Sequence, residues 1–143
     1  MPQLGDDYPV PYERTFDGTV GFEITEIGPE RAVGRVRVGD GTMQRWGMVH
    51  GGAYAGLAEV IASEATAVGV WDDGKIGLGL ANHTNFLRPV TGGVVAAEAR
   101  RRHAGRTTWV WDVDMRDDQG RLCASSRVTI AVRDRPRQGA GLK

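Results

Sequence analysis

The chain has 143 residues, which is enough for one domain with a buried core and too few for two. Hydrophobic residues make up 41% of it, and 18 basic residues balance 18 acidic ones, so its overall charge does not favour nucleic acid as a partner. No apolar run approaches transmembrane length, and the proline-bearing N-terminus lacks the basic and apolar regions of a signal peptide. The single cysteine, Cys123, excludes an internal disulfide, and the three scattered histidines do not have zinc-site spacing. We therefore expect a cytoplasmic protein with no metal site, no cofactor and no membrane partner.

In chain order, residues 1–15 are predicted to be a loosely held arm, because Pro2, Pro9 and Pro11 oppose regular structure. Residues 16–133 form the predicted domain, and the basic residues 134–143 a flexible tail. Strand-like runs with turn signals between them cover residues 22–27, 31–38, 77–87, 94–102, 107–116 and 122–132.

Residues 44–70 form a tight loop that leads into a long, Ala-rich helix, the longest helical segment in the chain. One helix followed by a run of long antiparallel strands predicts an α+β fold in which a curved sheet wraps the helix. Such a sheet has exposed edge strands. We also expect an apolar outer face that includes Trp109 and Trp111, and therefore a homo-oligomer, a dimer or a tetramer.

The helix has one side that carries small residues and a single carboxylate. At about 100° per residue, a stripe roughly 80° wide contains Gly52, Gly56, Glu59, Ser63 and Thr66. Small residues allow another surface to approach closely, so Glu59 is expected in a crevice rather than in open water. The alternative is that Glu59 is an ordinary solvated helix residue and that the His-Gly-Gly before it is only a turn.

The start of the helix is the second candidate feature. The first amides of a helix have no internal acceptors and carry the positive end of the helix dipole. Gly51 and Gly52 have no side chains to obstruct them, so a polarised carbonyl could bind there.

On these residues the chain resembles the hotdog-fold acyl-CoA thioesterases, in particular the 4-hydroxybenzoyl-CoA thioesterase and phenylacetate-pathway type. The strongest match is the spacing of Gln44, His50-Gly51-Gly52, Glu59 and Ser63; a second is the segment Asn85 to Pro89. A third is the hairpin that begins at His103. The resemblance covers residues from about 22 to 132 and implies the hotdog fold.

The resemblance also implies a role for each matched residue. Glu59 corresponds to the carboxylate that attacks the thioester or activates water, and Gly51 to the residue whose amide polarises the carbonyl. His50 corresponds to a residue that orients the loop. Gln44 matches a polar residue near the thioester or the nucleophile, and Ser63 a hydroxyl that can hold the carboxylate or a water.

Substrate-binding roles are predicted for Gly52, Asn85, Arg88 and Arg106, the arginines as ligands of the CoA phosphates; Arg102 is a further candidate for the phosphates. For each arginine the alternative is a solvated strand end. The chain departs from some relatives at Gly77 and Gly79, where those relatives place a Ser or Thr near the active site.

The chemistry agrees with the assignment, because a thiolate leaves readily near neutral pH, so an amide and one carboxylate can suffice. The expected activity is hydrolysis of an acyl-CoA or aroyl-CoA. Two alternatives remain. One is a non-catalytic acyl-CoA-binding module, which would not need Glu59, Gln44 and Ser63 together. The other is a hotdog dehydratase, for which His50 at the helix entrance is misplaced.

Overall fold

The computed structural model describes residues 8–136 and has one long helix and six strands. A 3-10 helix (Tyr12–Arg14) and the five-residue helix α1 (Phe16–Val20) precede the long helix α2 (Gly51–Val70), and a second 3-10 helix (Trp71–Asp73) follows α2. The strands are β1 (Phe22–Ile27), β2 (Arg31–Arg37), β3 (Lys75–Phe86), β4 (Val94–Ala104), β5 (Thr108–Arg116) and β6 (Leu122–Asp134). Each strand-like run of the sequence is a strand, within three residues at either end.

The strands form one antiparallel sheet in the order β1-β2-β4-β5-β6-β3, and this sheet curls around α2. The predicted architecture of one long helix against a curved antiparallel sheet is confirmed. Strand β3 follows α2 in the chain and lies at an edge, so one side of its twelve residues has no neighbour within the described residues. An unpaired edge of this length is a pairing site for another strand.

The core lies between α2 and the inner face of the sheet. Leu57 and Ile61 of α2 are fully buried, and Trp111 of β5 packs from the opposite side. Trp109 is buried as well, its ring centroid 6.3 Å from that of Trp111. The prediction of an apolar outer face that includes these two tryptophans is therefore wrong. Their strand alternation directs both toward the helix.

The outer face of the sheet is charged instead. Its central strands present pairs of opposite charge, such as Arg127 with Asp112 at 2.8 Å and Arg100 with Glu98 at 2.5 Å. Solvent-exposed pairs of this kind contribute little to stability. They make this face polar, so it gives no hydrophobic reason for association.

The N-terminal segment has more regular structure than the sequence predicted. The hydroxyl of Thr15 accepts from the amide of Gly18 at 3.1 Å and caps α1, and Gly21, at φ 83°, ends it. Tyr8 donates to a carboxylate oxygen of Glu64 at 2.9 Å. At the other end, the Arg135 amide donates to the Gly74 carbonyl at 2.8 Å. The remaining parts of the predicted arm and tail, residues 1–7 and 137–143, lie outside the described residues.

Two further features of residues 8–136 concern membranes and metals. None of their helices combines the length and the apolar character needed to cross a membrane. In the same range there is no group of three or more His, Cys, Asp or Glu side chains placed to hold a metal ion.

Candidate active site

His50 caps the start of α2. Its Nδ1 accepts a hydrogen bond from the Gly52 amide at 2.8 Å, so a neutral ring carries its proton on Nε2. This bond occupies the Gly52 amide, which was predicted to bind substrate. The Gly51 amide has no acceptor among the described residues. Gly51 is therefore the helix-start donor that is free to polarise a carbonyl.

The aromatic ring of Phe86 covers one side of Gly51. A Cβ built on Gly51 would lie 2.8 Å from Phe86 Cζ, and the Phe86 ring in turn packs 6.0 Å from the ring of Tyr54. A side chain at position 51 would therefore push against Phe86, at the end of edge strand β3. Glycine at this position is needed for the close approach of that ring as well as for access to the amide.

Glu59 is exposed in the single chain, and its carboxylate lies over the backbone of β3. A Cβ built on Gly79 would be 2.2 Å from Glu59 Oε1. The absence of a side chain at Gly79, which was a departure from some relatives, thus makes room for the carboxylate. The backbone of β3 thus forms one wall of the expected crevice.

The small-residue stripe of α2 is not open along its full length. Thr66 is fully buried, and its hydroxyl accepts from Trp111 Nε1 at 2.9 Å. A Cβ on Gly77 would lie 3.0 Å from Thr66 Cβ and 3.0 Å from the Ser63 carbonyl oxygen. Including Thr66 in an accessible stripe was wrong, because helical periodicity does not show where the sheet closes over the helix.

Two predicted partners of Glu59 are not joined to it here. The Gln44 side-chain oxygen accepts from the Trp46 amide and holds the loop that precedes α2. Ser63 lies one turn beyond Glu59, and no hydrogen bond joins its hydroxyl to that carboxylate within the described chain.

A β-bulge in β3 separates Asn85 from the helix. The register against β6 shifts between Gly79 and Ala81, so odd-numbered residues face α2 before the bulge and even-numbered residues face it afterwards. Asn85 consequently lies on the charged outer face, with Arg127. Asn82 faces α2 instead and donates to the Ala55 carbonyl at 2.9 Å. A bulge leaves no clear signal in the sequence, so Asn85 and Asn82 could not be told apart by alternation.

The three candidate arginines differ in their surroundings. Arg102 is paired with Asp112 at 3.2 Å on the outer face. Arg88 and Arg106 are exposed, and neither forms an ion pair within residues 8–136. Arg88 follows Phe86 by two residues, so it lies near the start of α2, whereas Arg106 lies in the β4–β5 turn.

Helix α1 brings two side chains to the Glu59 side of α2, which the sequence analysis did not anticipate. A Cβ on Gly56, one turn before Glu59, would be 3.2 Å from Phe16 Cε1, and the Phe16 ring is 63% exposed. Burial and the negative charge of Glu59 raise the pKa of the neighbouring Asp17. The missed signal is the Thr15-to-Gly21 capping pattern, which marks a short helix after the prolines.

The free amide and the carboxylate are far apart within a single chain. Gly51 and Glu59 are eight residues apart on one helix, about 12 Å along its axis. Attack on a carbonyl needs the reacting atoms about 3–3.5 Å apart. The two groups therefore belong to different reacting centres unless a second copy of the chain brings them together.

Comparison with known proteins identifies the family. The model of the Thioesterase superfamily matches residues 47–124, which include α2 with Glu59, strands β3, β4 and β5, and the start of β6. This chain belongs to the Thioesterase superfamily. The single helix wrapped by the sheet is accordingly the hotdog fold, and the protein is a thioester hydrolase.

Three similar proteins illustrate the relationship. A 1,4-dihydroxy-2-naphthoyl-CoA hydrolase from Listeria monocytogenes is 36% identical over 115 residues, 80% of this chain and 93% of that one. A Haemophilus influenzae thioesterase structure has a TM-score of 0.81 at 34% identity, covering 89% of this chain and 88% of that chain. A Staphylococcus aureus thioesterase, solved with a glutamate replaced by alanine, has a TM-score of 0.80 at 29% identity, covering 83% and 98%. The same protein has also been solved with a glutamine replaced by alanine.

Proposed function

We propose that this thioester hydrolase is a cytoplasmic enzyme that cleaves an acyl-CoA or aroyl-CoA to the free acid and CoA, with Glu59 as the catalytic carboxylate. The observation that carries the proposal is the position of Glu59, the one acid on an otherwise small-residue face of α2, above Gly79. The CoA thioester is supported by the Listeria relative, whose substrate is a naphthoyl-CoA.

The spacing of two substituted residues in the Staphylococcus aureus relative supports the assignment. The glutamine and the glutamate that were replaced there are 15 residues apart, as are Gln44 and Glu59 here. We accordingly keep Gln44 as a site residue. Its side-chain amide nitrogen has no partner within the described chain and is available to a substrate or to a second protomer.

In the proposed reaction, the Gly51 amide donates to the thioester carbonyl oxygen and stabilises the negative charge that develops there. Glu59 then acts in one of two ways. It attacks the carbonyl carbon to give an anhydride that water cleaves, or it takes a proton from the water that attacks. In both cases the carbon–sulfur bond breaks and the thiolate leaves without prior protonation. Ser63 can hold the carboxylate or the water, and His50 fixes the loop through the Gly52 amide.

We further propose that the working site is shared by two protomers. Because about 12 Å separates Gly51 from Glu59 along one helix, the Gly51 amide of one protomer must work with the carboxylate of another. The unpaired edge of β3, with Leu80, Phe86 and Leu87 exposed, is the surface offered for pairing. The unpaired edge of β3, rather than the outer face of the sheet, is therefore the reason to expect a homo-oligomer.

The proposed function is tested with Glu59→Gln, which is nearly isosteric. Hydrolysis of a panel of acyl-CoA and aroyl-CoA thioesters is followed by release of the free thiol. We expect kcat to fall by about 10² or more with the melting temperature preserved. Glu64→Gln, on the same helix, is the matched control and retains near-native kcat.

Native kcat in Glu59→Gln would exclude the assigned carboxylate. A native protein that binds acyl-CoA without hydrolysing any of them would favour the binding-module alternative for this site.

A further inference from the structure

Helix α1 lies on one side of the proposed catalytic carboxylate, Glu59, and leaves an aromatic ring exposed there. The Phe16 ring contacts α2 at Gly56, where the Phe22 ring also approaches, to 2.9 Å from a built Cβ. The two rings meet edge to face, with centroids 6.0 Å apart. Gly56 precedes Glu59 by one turn, so a molecule whose carbonyl reaches Glu59 lies within a few ångströms of the Phe16 ring.

The same short helix places a negative charge beside that ring. Asp17 follows Phe16 and is close enough to Glu59 for the two charges to interact; its pKa is raised by partial burial and then by Glu59. Its carboxylate forms no ion pair and no side-chain hydrogen bond within the described residues. An anion brought to the α1 side of Glu59 therefore meets two uncompensated carboxylates.

These charges decide which half of the substrate lies against α1. The nucleotide half of CoA carries several phosphate charges and is repelled by Asp17 and Glu59. Arg88 is exposed, forms no ion pair within residues 8–136, and lies near Gly51 at the start of α2. It is a better neighbour for those phosphates. The acyl half of the thioester is then left to face Phe16.

We propose that Phe16 and Asp17 form the acyl subsite beside Glu59 and make the enzyme select uncharged acyl groups over acyl groups that end in a carboxylate. This inference rests on the proposed function. Phe16 supplies the apolar contact with the acyl chain. Asp17 supplies the repulsion that excludes an acyl group with a terminal carboxylate. Both act from the protomer that carries the catalytic Glu59.

The test compares hexanoyl-CoA with adipoyl-CoA, which has the same chain length and a terminal carboxylate. We expect the native protein to prefer hexanoyl-CoA in kcat/KM. Asp17→Asn should reduce that preference by about three- to tenfold, mainly by lowering KM for adipoyl-CoA. Glu13→Gln removes an exposed acid from the same segment and should leave the ratio unchanged.

A second pair of variants tests the ring. Phe16→Ala should raise KM for hexanoyl-CoA by about two- to tenfold, and Phe16→Leu should restore most of the loss, since it keeps an apolar contact. Melting temperatures report on folding of each variant. An unchanged ratio in Asp17→Asn, or equal kinetics in native protein and Phe16→Ala, overturns the subsite while leaving the proposed function intact. A native protein that hydrolyses no acyl-CoA overturns both.

Discussion

The carboxylate of Glu59 occupies the space in which a side chain on Gly79 would lie, with Oε1 only 2.2 Å from a built Cβ. The contact is with the end of a flexible side chain. A methyl group at position 79 would therefore displace the carboxylate more readily than it would unfold the protein.

Gly79→Ala should accordingly lower kcat by about 10- to 100-fold, because a displacement of about 1 Å at a reacting group has an effect of this size. The melting temperature should change little. Gly77→Ala is the contrasting variant, since its methyl meets the Ser63 carbonyl oxygen and Thr66 Cβ, each at 3.0 Å. It should lose stability while the folded fraction keeps its kcat. A Gly79→Ala enzyme with native kcat would show that the observed position of Glu59 is irrelevant to turnover.

The Gly51 amide can be removed without changing the shape of the helix start. Gly51 is the first residue of α2, where proline is well tolerated, and His50 at ψ 138° has the extended conformation that a following proline requires. Gly51→Pro should lower kcat by about 10²–10³ if this amide is the oxyanion donor.

Gly51→Ala is the matched control for that variant. It keeps the amide hydrogen, and its methyl meets the Phe86 ring as the proline ring would. Any decrease in kcat that both variants share measures the effect of displacing Phe86. The additional decrease in kcat of Gly51→Pro measures the contribution of the amide hydrogen. Equal kcat in the two variants would remove Gly51 from the chemistry.

Mixed assemblies of two inactive variants test whether the site is shared. If Gly51 and Glu59 act from different protomers, a dimer of one Gly51→Pro chain and one Glu59→Gln chain contains one site with both native groups. Co-produced chains carrying different tags, purified through both tags, should recover up to half of the native activity per dimer. Light scattering that gives a mass near 15.5 kDa, or hybrids as inactive as their parents, would contradict a shared site.

Thr66 joins the helix to the sheet through a buried hydrogen bond. Its hydroxyl donates to the Ala62 carbonyl at 2.8 Å and accepts from Trp111 Nε1. Thr66→Val keeps the shape but leaves the indole N–H unpaired, so the free energy of unfolding should fall by about 1–3 kcal/mol in urea denaturation. Thr66→Ser keeps the hydrogen bond and loses one methyl group, which should cost less. A valine variant as stable as the serine variant would contradict this role for the hydroxyl.

Glu64 makes stability depend on pH. Burial is the main cause that raises its pKa, Asp17 adds to the shift, and the hydrogen bond from Tyr8 opposes it. The folded protein thus holds the Glu64 proton more tightly than the unfolded chain, so native stability falls as the pH rises from the ordinary range of a glutamate through the raised value. Glu64→Gln has no such titration and keeps an acceptor for Tyr8. Its melting temperature relative to the native protein should rise as the pH increases above the ordinary range of a glutamate. A constant difference would contradict the shift.

Much of the fold could be predicted from the sequence, because each element carries its own periodic pattern and the turns between them carry Gly, Pro or Asp. The long helix and six strands follow from such local signals. Contacts between elements could not be predicted in this way. The burial of Thr66 depends on Gly77 and Trp111 from two strands, and the outer-face position of Asn85 depends on one extra residue in β3. The short helix that carries Phe16 was missed, because the prolines before it concealed the Thr15 cap.

The bulge between Gly79 and Ala81 divides β3 into two stretches with opposite inside–outside phase. Residues before it face the helix through their odd positions and residues after it through their even positions, because Leu80 is one extra residue relative to β6. A deletion of Leu80 would therefore remove the bulge and leave both sets on the faces that they now occupy. If β3 kept its full length and paired without the bulge, Asn85 and His83 would instead turn toward α2, and Asn82 would release the Ala55 carbonyl. The extra residue in β3 therefore decides which of its later side chains face α2, and related chains that pair this strand without a bulge could present different pocket chemistry with the same residues.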